Sequence, residues 1–240
     1  MDRKPFMDRR QFNTAAVGSF SAMLLATYQQ AYALSLSDLT QGEASQGLKL
    51  ALEKGATIAV NLLGKPDGFM GNDKVRIALP GYLEDAAKLM KTFGQSKPID
   101  ELVTAMNRAA EAAMPLAKGL LVKAVKEMNV LDAKNILSGG GDSVTKFFAD
   151  KTRKPLGFAF LPIVTQATEK VGLAAKYNAI AGKAADLGLV SKEDANIQQY
   201  VTGKSMDGLY LIIGEEEQKI RQNPMAAGSS LLSKVFGALK

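Results

Sequence analysis

The chain has 240 residues, 47% of them hydrophobic, which is enough for one substantial core and short for two, so a single domain is expected. It has no histidine, cysteine or tryptophan, which excludes disulfides, thiolate catalysis, His-based triads and His- or Cys-ligated metals; carboxylate, Lys, Tyr or Ser/Thr chemistry remains, as does a hard cation on oxygen ligands. The formal charge is +6, but four of the 30 basic and two of the 24 acidic residues crowd the first ten positions, and the small dispersed excess left over indicates neither a nucleic-acid groove nor a polybasic membrane patch.

The beginning reads as an export signal. Arg3, Lys4, Arg9 and Arg10 precede an apolar run over 12–26, and Ala31-Tyr32-Ala33 supplies small residues suited to signal peptidase. The run is too short for a strong transmembrane helix. Asp8-Arg9-Arg10-Gln11-Phe12 resembles a twin-arginine signal, departing from its usual pattern at Asp8, Asn13 and Thr14. The expectation is a signal over 1–33, cleaved after Ala33, and one periplasmic helical domain over 34–240.

Thr40-Gln-Gly-Glu43 has capping-box spacing, and Leu48, Leu52, Ile58, Ala59, Leu62 and Leu63 continue as an amphipathic helix closed by Gly64. Residues 64–80 follow as a turn-rich loop ending in the extended alternation of Val75, Ile77 and Leu79; with no partner strand it is expected to pack over helices. Phe69 and Met70, flanked by Gly68 and Gly71, are either a core anchor or part of a ligand mouth, anchoring being the commoner outcome.

A helix over 81–93 ends at Gly94. The next begins at Pro98, with Asp100 and Glu101 in its first turn, and carries an apolar stripe through Leu102, Met106, Ala109, Ala110, Ala113, Leu116, Ala117, Leu120, Leu121, Ala124, Val125 and Met128. Its other side holds Thr104, Arg108, Glu111, Lys118, Lys123, Lys126 and Glu127. Pro115 lies inside the pattern and predicts a kink or two abutting helices.

A short helix over 130–137 should end at Gly139. Gly139-Gly140-Gly141 then leads to Asp142 or Ser143 as the cap of a helix carrying Phe147 and Phe148. Glycines ahead of a helix N-terminus can present N–H groups to a phosphate or carboxylate, so Gly139, Gly140, Asp142 and Ser143 form a candidate ligand-binding set. The competing reading is a plain helix-to-helix turn, favoured because no strand precedes the glycines and no Gly-Lys-Ser/Thr follows.

Lys151 to Pro155 reads as a polar break, and residues 156–164 as a nearly all-apolar helix start. Val171, Ala174, Ala175, Ala179, Ala184 and Leu187 keep helical spacing, Ser191-Lys-Glu-Asp194 has capping-box spacing and opens a helix toward Tyr200, and the last long helix has Met206, Leu209, Tyr210, Ile213 and Ile220 on one side. Glu215 to Lys219 and Glu217 to Arg221 are spaced for ion pairs on that helix. A short amphipathic helix is expected over 228–239. The fold class is therefore all-α, a bundle of eight to ten helices with one long loop near 64–80.

The chain resembles the bacterial domain-of-unknown-function family 4197. The resemblance rests on Leu36-Ser-Asp-Leu39, Leu63-Gly-Lys-Pro-Asp-Gly68, Ala105-Met-Asn-Arg-Ala-Ala-Glu111, Asp132-Ala-Lys134 with Ile136-Leu137, Phe160-Leu-Pro-Ile-Val164, Gly188-Leu-Val-Ser191 and Ile220-Arg221 with Asn223-Pro224. It implies an all-helical exported protein of gram-negative bacteria and carries no established activity.

For function, Asn107, Arg108 and Glu111 form a polar cluster beside the apolar stripe; it is a candidate recognition site, or an ordinary helix ion pair. The leading expectation is a non-enzymatic binding protein of the cell envelope, its partner an envelope protein or small ligand, with no nucleic acid, no transmembrane span in the mature chain, and no cofactor or metal called for. One alternative is a carboxylate- or divalent-cation-dependent enzyme drawing on Glu111, Asp132, Glu215, Glu216 and Glu217. The other is an apolar-ligand carrier lined by residues 156–164, Phe69, Phe147, Phe148, Met70, Met106 and Met128.

Overall fold

The structure is a computed structural model that describes residues 41–94, 96–188, 191 and 195–223. The helices are α1 (Gln41–Leu63), α2 (Gly81–Thr92), α3 (Ser96–Lys126), α4 (Val130–Ser138), α5 (Ser143–Glu169), α6 (Gly172–Asp186) and α7 (Ile197–Gln222). The described residues are all-helical with no strand, as the apolar periodicity predicts. These seven helices are fewer than the eight to ten expected. The export segment, part of each capping-box motif at 40–43 and 191–194, and the helix expected over 228–239 lie outside the described residues.

α3 runs through Pro115 as one helix and not two abutting ones, and α5 runs through Pro155 and Pro162, so Lys151 to Pro155 is helix and not a polar break. All three prolines are exposed. A proline on the solvent side leaves the carbonyl it orphans to water, so the helix continues at modest cost.

α1, α3, α5 and α7 form the body: α1 packs on α3, α3 on α5, α5 on α7 and α7 back on α1, with a further contact between α3 and α7. Phe148, Phe160, Leu48, Leu63, Leu102, Met106, Met114, Leu121 and Leu156 are among the largest fully buried side chains. α7 is apolar on more than one side. Besides the expected Met206, Leu209, Tyr210, Ile213 and Ile220 it buries Ile197, Val201 and Ile212, because α1, α3 and α5 all lie against it.

The apolar stripes need two corrections, and the start of α7 a third. Leu62 and Leu116 are 40% and 45% exposed, and Leu120 is only half-buried; they sit at the edge of their helix faces rather than in the core. Ala175 and Ala179 of α6 are exposed, Leu187 is 75% exposed, and Ala174, Tyr177 and Ala181 make the buried side. α7 is capped by Asn196, whose side chain accepts the N–H groups of Gln198 and Gln199, so that helix begins after the Ser191 motif. Among the described residues no helix is long and apolar enough to cross a membrane.

Candidate functional site

Asn107, Arg108 and Glu111 all reach from α3 to the loop over 64–80. Asn107 is fully buried; its amide accepts the Ile77 N–H at 2.8 Å and donates to the Ile77 carbonyl at 2.9 Å and the Val103 carbonyl at 2.8 Å. One side chain thus gives an extended residue both hydrogen bonds a neighbouring strand would have offered. Glu111 accepts the N–H groups of Phe69 and Met70, each at 3.1 Å, on one oxygen and Arg108 at 2.7 Å on the other. Arg108 also reaches Asp67 at 2.7 Å. Both carboxylates strengthen the hold on the guanidinium proton and raise its pKa, Glu111 the more. Glu111, expected on the polar side of the helix, is buried because the loop lies over it.

Phe69 is an anchor. Its ring is fully buried against α7, where a Cβ on Gly208 would stand 2.8 Å from it. Tyr200 donates to the Ala78 carbonyl at 3.0 Å, so the loop is fastened to α7 as well as α3.

The glycine turn is built differently. Asn129 caps α4, accepting the Asp132 N–H at 2.8 Å while Asp132 accepts the Asn129 N–H at 3.2 Å. At the other end Gly139 has φ −77°, not the left-handed conformation expected of a glycine cap. Glycine is required there for another reason: a Cβ would lie 2.5 Å from both the Asn135 carbonyl oxygen and the Ser143 Cβ. Asp142 stands at the cap position of α5 without a side-chain cap bond and pairs instead with Lys146 at 2.7 Å, which holds its carboxyl below the usual range. Ser143 donates to the Ile136 carbonyl at 3.0 Å.

α7 closes this turn from behind. Arg221 donates to the Ile136 carbonyl at 2.9 Å and to Ser143 Oγ at 3.3 Å, and its Nε donates to Glu217 at 2.7 Å. Glu217 is buried beside the first turn of α5, where the Val144 N–H also favours its charged form. Burial outweighs both partners and pushes its pKa up. Its second oxygen has no hydrogen-bond partner, and the residue lines an apolar cavity of about 10 Å³ with Leu52, Val144, Ile213 and Ile220. The carboxylate at this helix N-terminus is therefore one of the chain's own.

On the solvent side Gly139, Gly140, Asp142 and Ser143 line a groove of about 460 Å³ between α4 and α5. Ile136 and Phe147 supply its apolar surface; Asp132, Asp150, Lys146, Lys151 and Asn135 supply polar groups. Acids outnumber cations there, which suits a polar or cationic ligand better than a phosphate. None of Asn107, Arg108 and Glu111 lines it. The members that sequence reasoning missed, Asn135, Lys146, Asp150 and Lys151, carried no motif; only the packing of α4 on α5 gathers them.

The remaining acids are dispersed. Asp132 meets Lys151 at 3.5 Å, Glu215 meets Lys74 at 2.7 Å, and Glu216 pairs with Lys219. Glu215 thus takes a loop lysine rather than Lys219, and the spacing predicted for Glu217 with Arg221 is realised. Glu216 and Glu217 are buried rather than solvated. Among the described residues no three such groups converge in a way that could hold a metal ion. Phe69, Phe148, Met106 and Met128 are packed into the core, as are Leu156, Phe160 and Val164, so they enclose no ligand cavity, while Phe147 is buried at the edge of the groove.

No curated protein and no solved structure matches this sequence. A family model does, over residues 38–237, a span that takes in the loop, the α3 cluster and the glycine turn. The chain belongs to that family, DUF4197, described as a protein of unknown function.

Proposed function

We propose that this protein is an exported helical domain of the bacterial cell envelope that works by binding, and that the groove between α4 and α5 is where it binds. One observation carries this reading: four residues nominated by the sequence line a single groove with apolar side chains among charged ones. That is the pattern of a recognition surface, apolar at its centre and polar at its rim. A catalytic reading needs an acid and a base facing one cleft. Two of the groove's three acids already have partners, Asp132 in a capping box and with Lys151, Asp142 with Lys146.

Photocrosslinking in the intact cell tests this. A photoreactive residue at Asn135 or Asp150, both exposed on the groove, should give a discrete adduct that the same residue at Lys97, exposed at the start of α3, does not. Equal labelling from all three positions, or none from any, would overturn it. Export is read separately: the periplasmic fraction should contain a chain whose N-terminus is Leu34.

A second reading, an apolar-ligand carrier, is favoured by one feature. A trough of about 380 Å³ between the loop, α2 and α3 is walled by Leu79, Ala87, Ile99 and Val103, with Arg76, Lys88 and Lys91 also lining it. Its size passes the roughly 300 Å³ that small-ligand sites require. Native mass spectrometry of protein taken from the periplasm should then show a bound amphiphile, and a bare polypeptide mass would remove this reading.

A further inference from the structure

We infer that Glu217 and Arg221 form a proton-operated latch behind the groove between α4 and α5: with Glu217 charged the pair holds the groove's wall in place, and with Glu217 protonated it lets go. This names a regulation of the binding site proposed above and rests on that reading for its effect on binding. The latch joins α7 to residues of the groove itself. Arg221 offers Nε to Glu217 at 2.7 Å, and one terminal nitrogen to the Ile136 carbonyl at 2.9 Å and to Ser143 Oγ at 3.3 Å. Ile136 and Ser143 both line the groove, as does Gly139 between them. That stretch has no slack: a Cβ on Gly139 would stand 2.5 Å from the Asn135 carbonyl oxygen and from the Ser143 Cβ, so a shift of Ser143 moves the wall.

Glu217 is where a proton can act. Its carboxylate is buried, and its second oxygen has no hydrogen-bond partner. The elements that wall its small cavity bring no other charge to it: α1 contributes Ala51, Leu52 and Gly55, α5 contributes Val144, and α7 contributes Ile213 and Ile220. The charged groups acting on it are Arg221 on its own helix and Asp142 ahead of α5, itself paired with Lys146 at 2.7 Å; neighbouring Glu216 is taken by Lys219. Burial, with Asp142 adding to it, favours the protonated form, and outweighs Arg221 and the Val144 N–H, so the proton is taken up above the usual carboxylate range.

Coupling between two sites is reciprocal. Arg221 stabilises the charged carboxylate through its hydrogen bond and its charge, so protonation takes the same amount from the hold on Arg221. The guanidinium then keeps a carbonyl and a hydroxyl in a half-buried place, without the charge of Glu217, and water competes for it. The two effects of the proton have opposite signs. It relieves the burial of a charge, which favours the folded bundle, and it loosens the turn that Arg221 ties down. Acid should therefore open the groove's wall without unfolding the body.

Amide exchange tests the latch without a ligand. The Ser143 N–H donates to the Gly140 carbonyl at 3.1 Å and reports closure of the turn. Its protection, corrected for the intrinsic pH dependence of exchange, should fall about five-fold or more from about pH 8 to about pH 5, while that of Ala110 in the middle of α3 should not fall. In Glu217→Gln, and in Arg221→Met should the first fail to fold, Ser143 should be weakly protected at both pH values. A parent with no fall would overturn the inference. So would a variant with the same fall as the parent, which gives the turn to Asp142 and Lys146. Photocrosslinking from Asn135 in an envelope extract reads the consequence: the adduct should form at about pH 8, weaken at about pH 5, and stay weak at both in Glu217→Gln. Equal yields at both pH values while Ser143 responds would overturn control of the groove. No adduct at either pH would overturn the groove reading, and the exchange alone then decides the latch.

Discussion

At the scale of single residues, Glu217 is the most informative. Its folded pKa is raised, burial being the largest cause, so the folded protein holds that proton more tightly than the unfolded chain. The stability this contributes is fully present below the unfolded value of about 4.3 and is lost as pH rises through the folded one. Glutamine keeps the shape and an acceptor for Arg221 but never ionises. The urea midpoint of Glu217→Gln minus that of the parent should therefore grow between about pH 4 and about pH 7. A constant difference would show that burial does not strain the carboxylate. Two glycines give opposite expectations. Gly208→Ala puts a methyl 2.8 Å from the Phe69 ring and should destabilise by about 1–3 kcal/mol. Gly55→Ala, inside α1, meets only the Glu216 Cβ at 3.8 Å, and helix propensity then stabilises by about 0.5–1 kcal/mol. Thermal melts of the pair should move in opposite directions.

At the scale of elements, the fastening of the 64–80 loop is open to the same kind of test. Asn107→Ala leaves the buried Ile77 N–H and carbonyl unpaired, each a loss of about 1–3 kcal/mol. Exchange of the Ile77 amide should quicken far more than that of amides in the middle of α7, and uniform quickening would mean the loop is no separate unit. Much of this level was legible in advance. Gly64 and Gly94 end their helices as read, the loop packs over helices without a strand, and the α3 stripe is buried except at Leu116 and Leu120. What could not be read is which neighbour covers which face. Glu216 and Glu217 look like a solvated run, and only the approach of α1 and α5 buries them. Leu116 fits the stripe by spacing yet is half exposed. The prolines in α5 signal a break by their chemistry, and only their exposure explains why none occurs. At the groove the glycines and Ser143 could be nominated, while the link of Arg221 to Ile136 and Ser143 joins residues far apart in the chain and leaves no local pattern.

For the whole molecule, the ring of α1, α3, α5 and α7 shares one cluster of buried side chains, so unfolding should be a single cooperative event. The chain has no tryptophan, and buried Tyr177, Tyr200 and Tyr210 supply a tertiary signal instead. Urea transitions followed by tyrosine fluorescence and by helical circular dichroism should coincide; separated midpoints would divide the body into independent parts. The position of α7 also bears on how the protein is made. A ribosome delivers α1, α3 and α5 first, and each carries an apolar face whose cover is a helix translated after all of them. Until α7 emerges, the partial chain has a surface that invites chaperones, proteases and other nascent chains. A message cut short before residue 197 would therefore yield not a smaller working protein but a substrate for degradation.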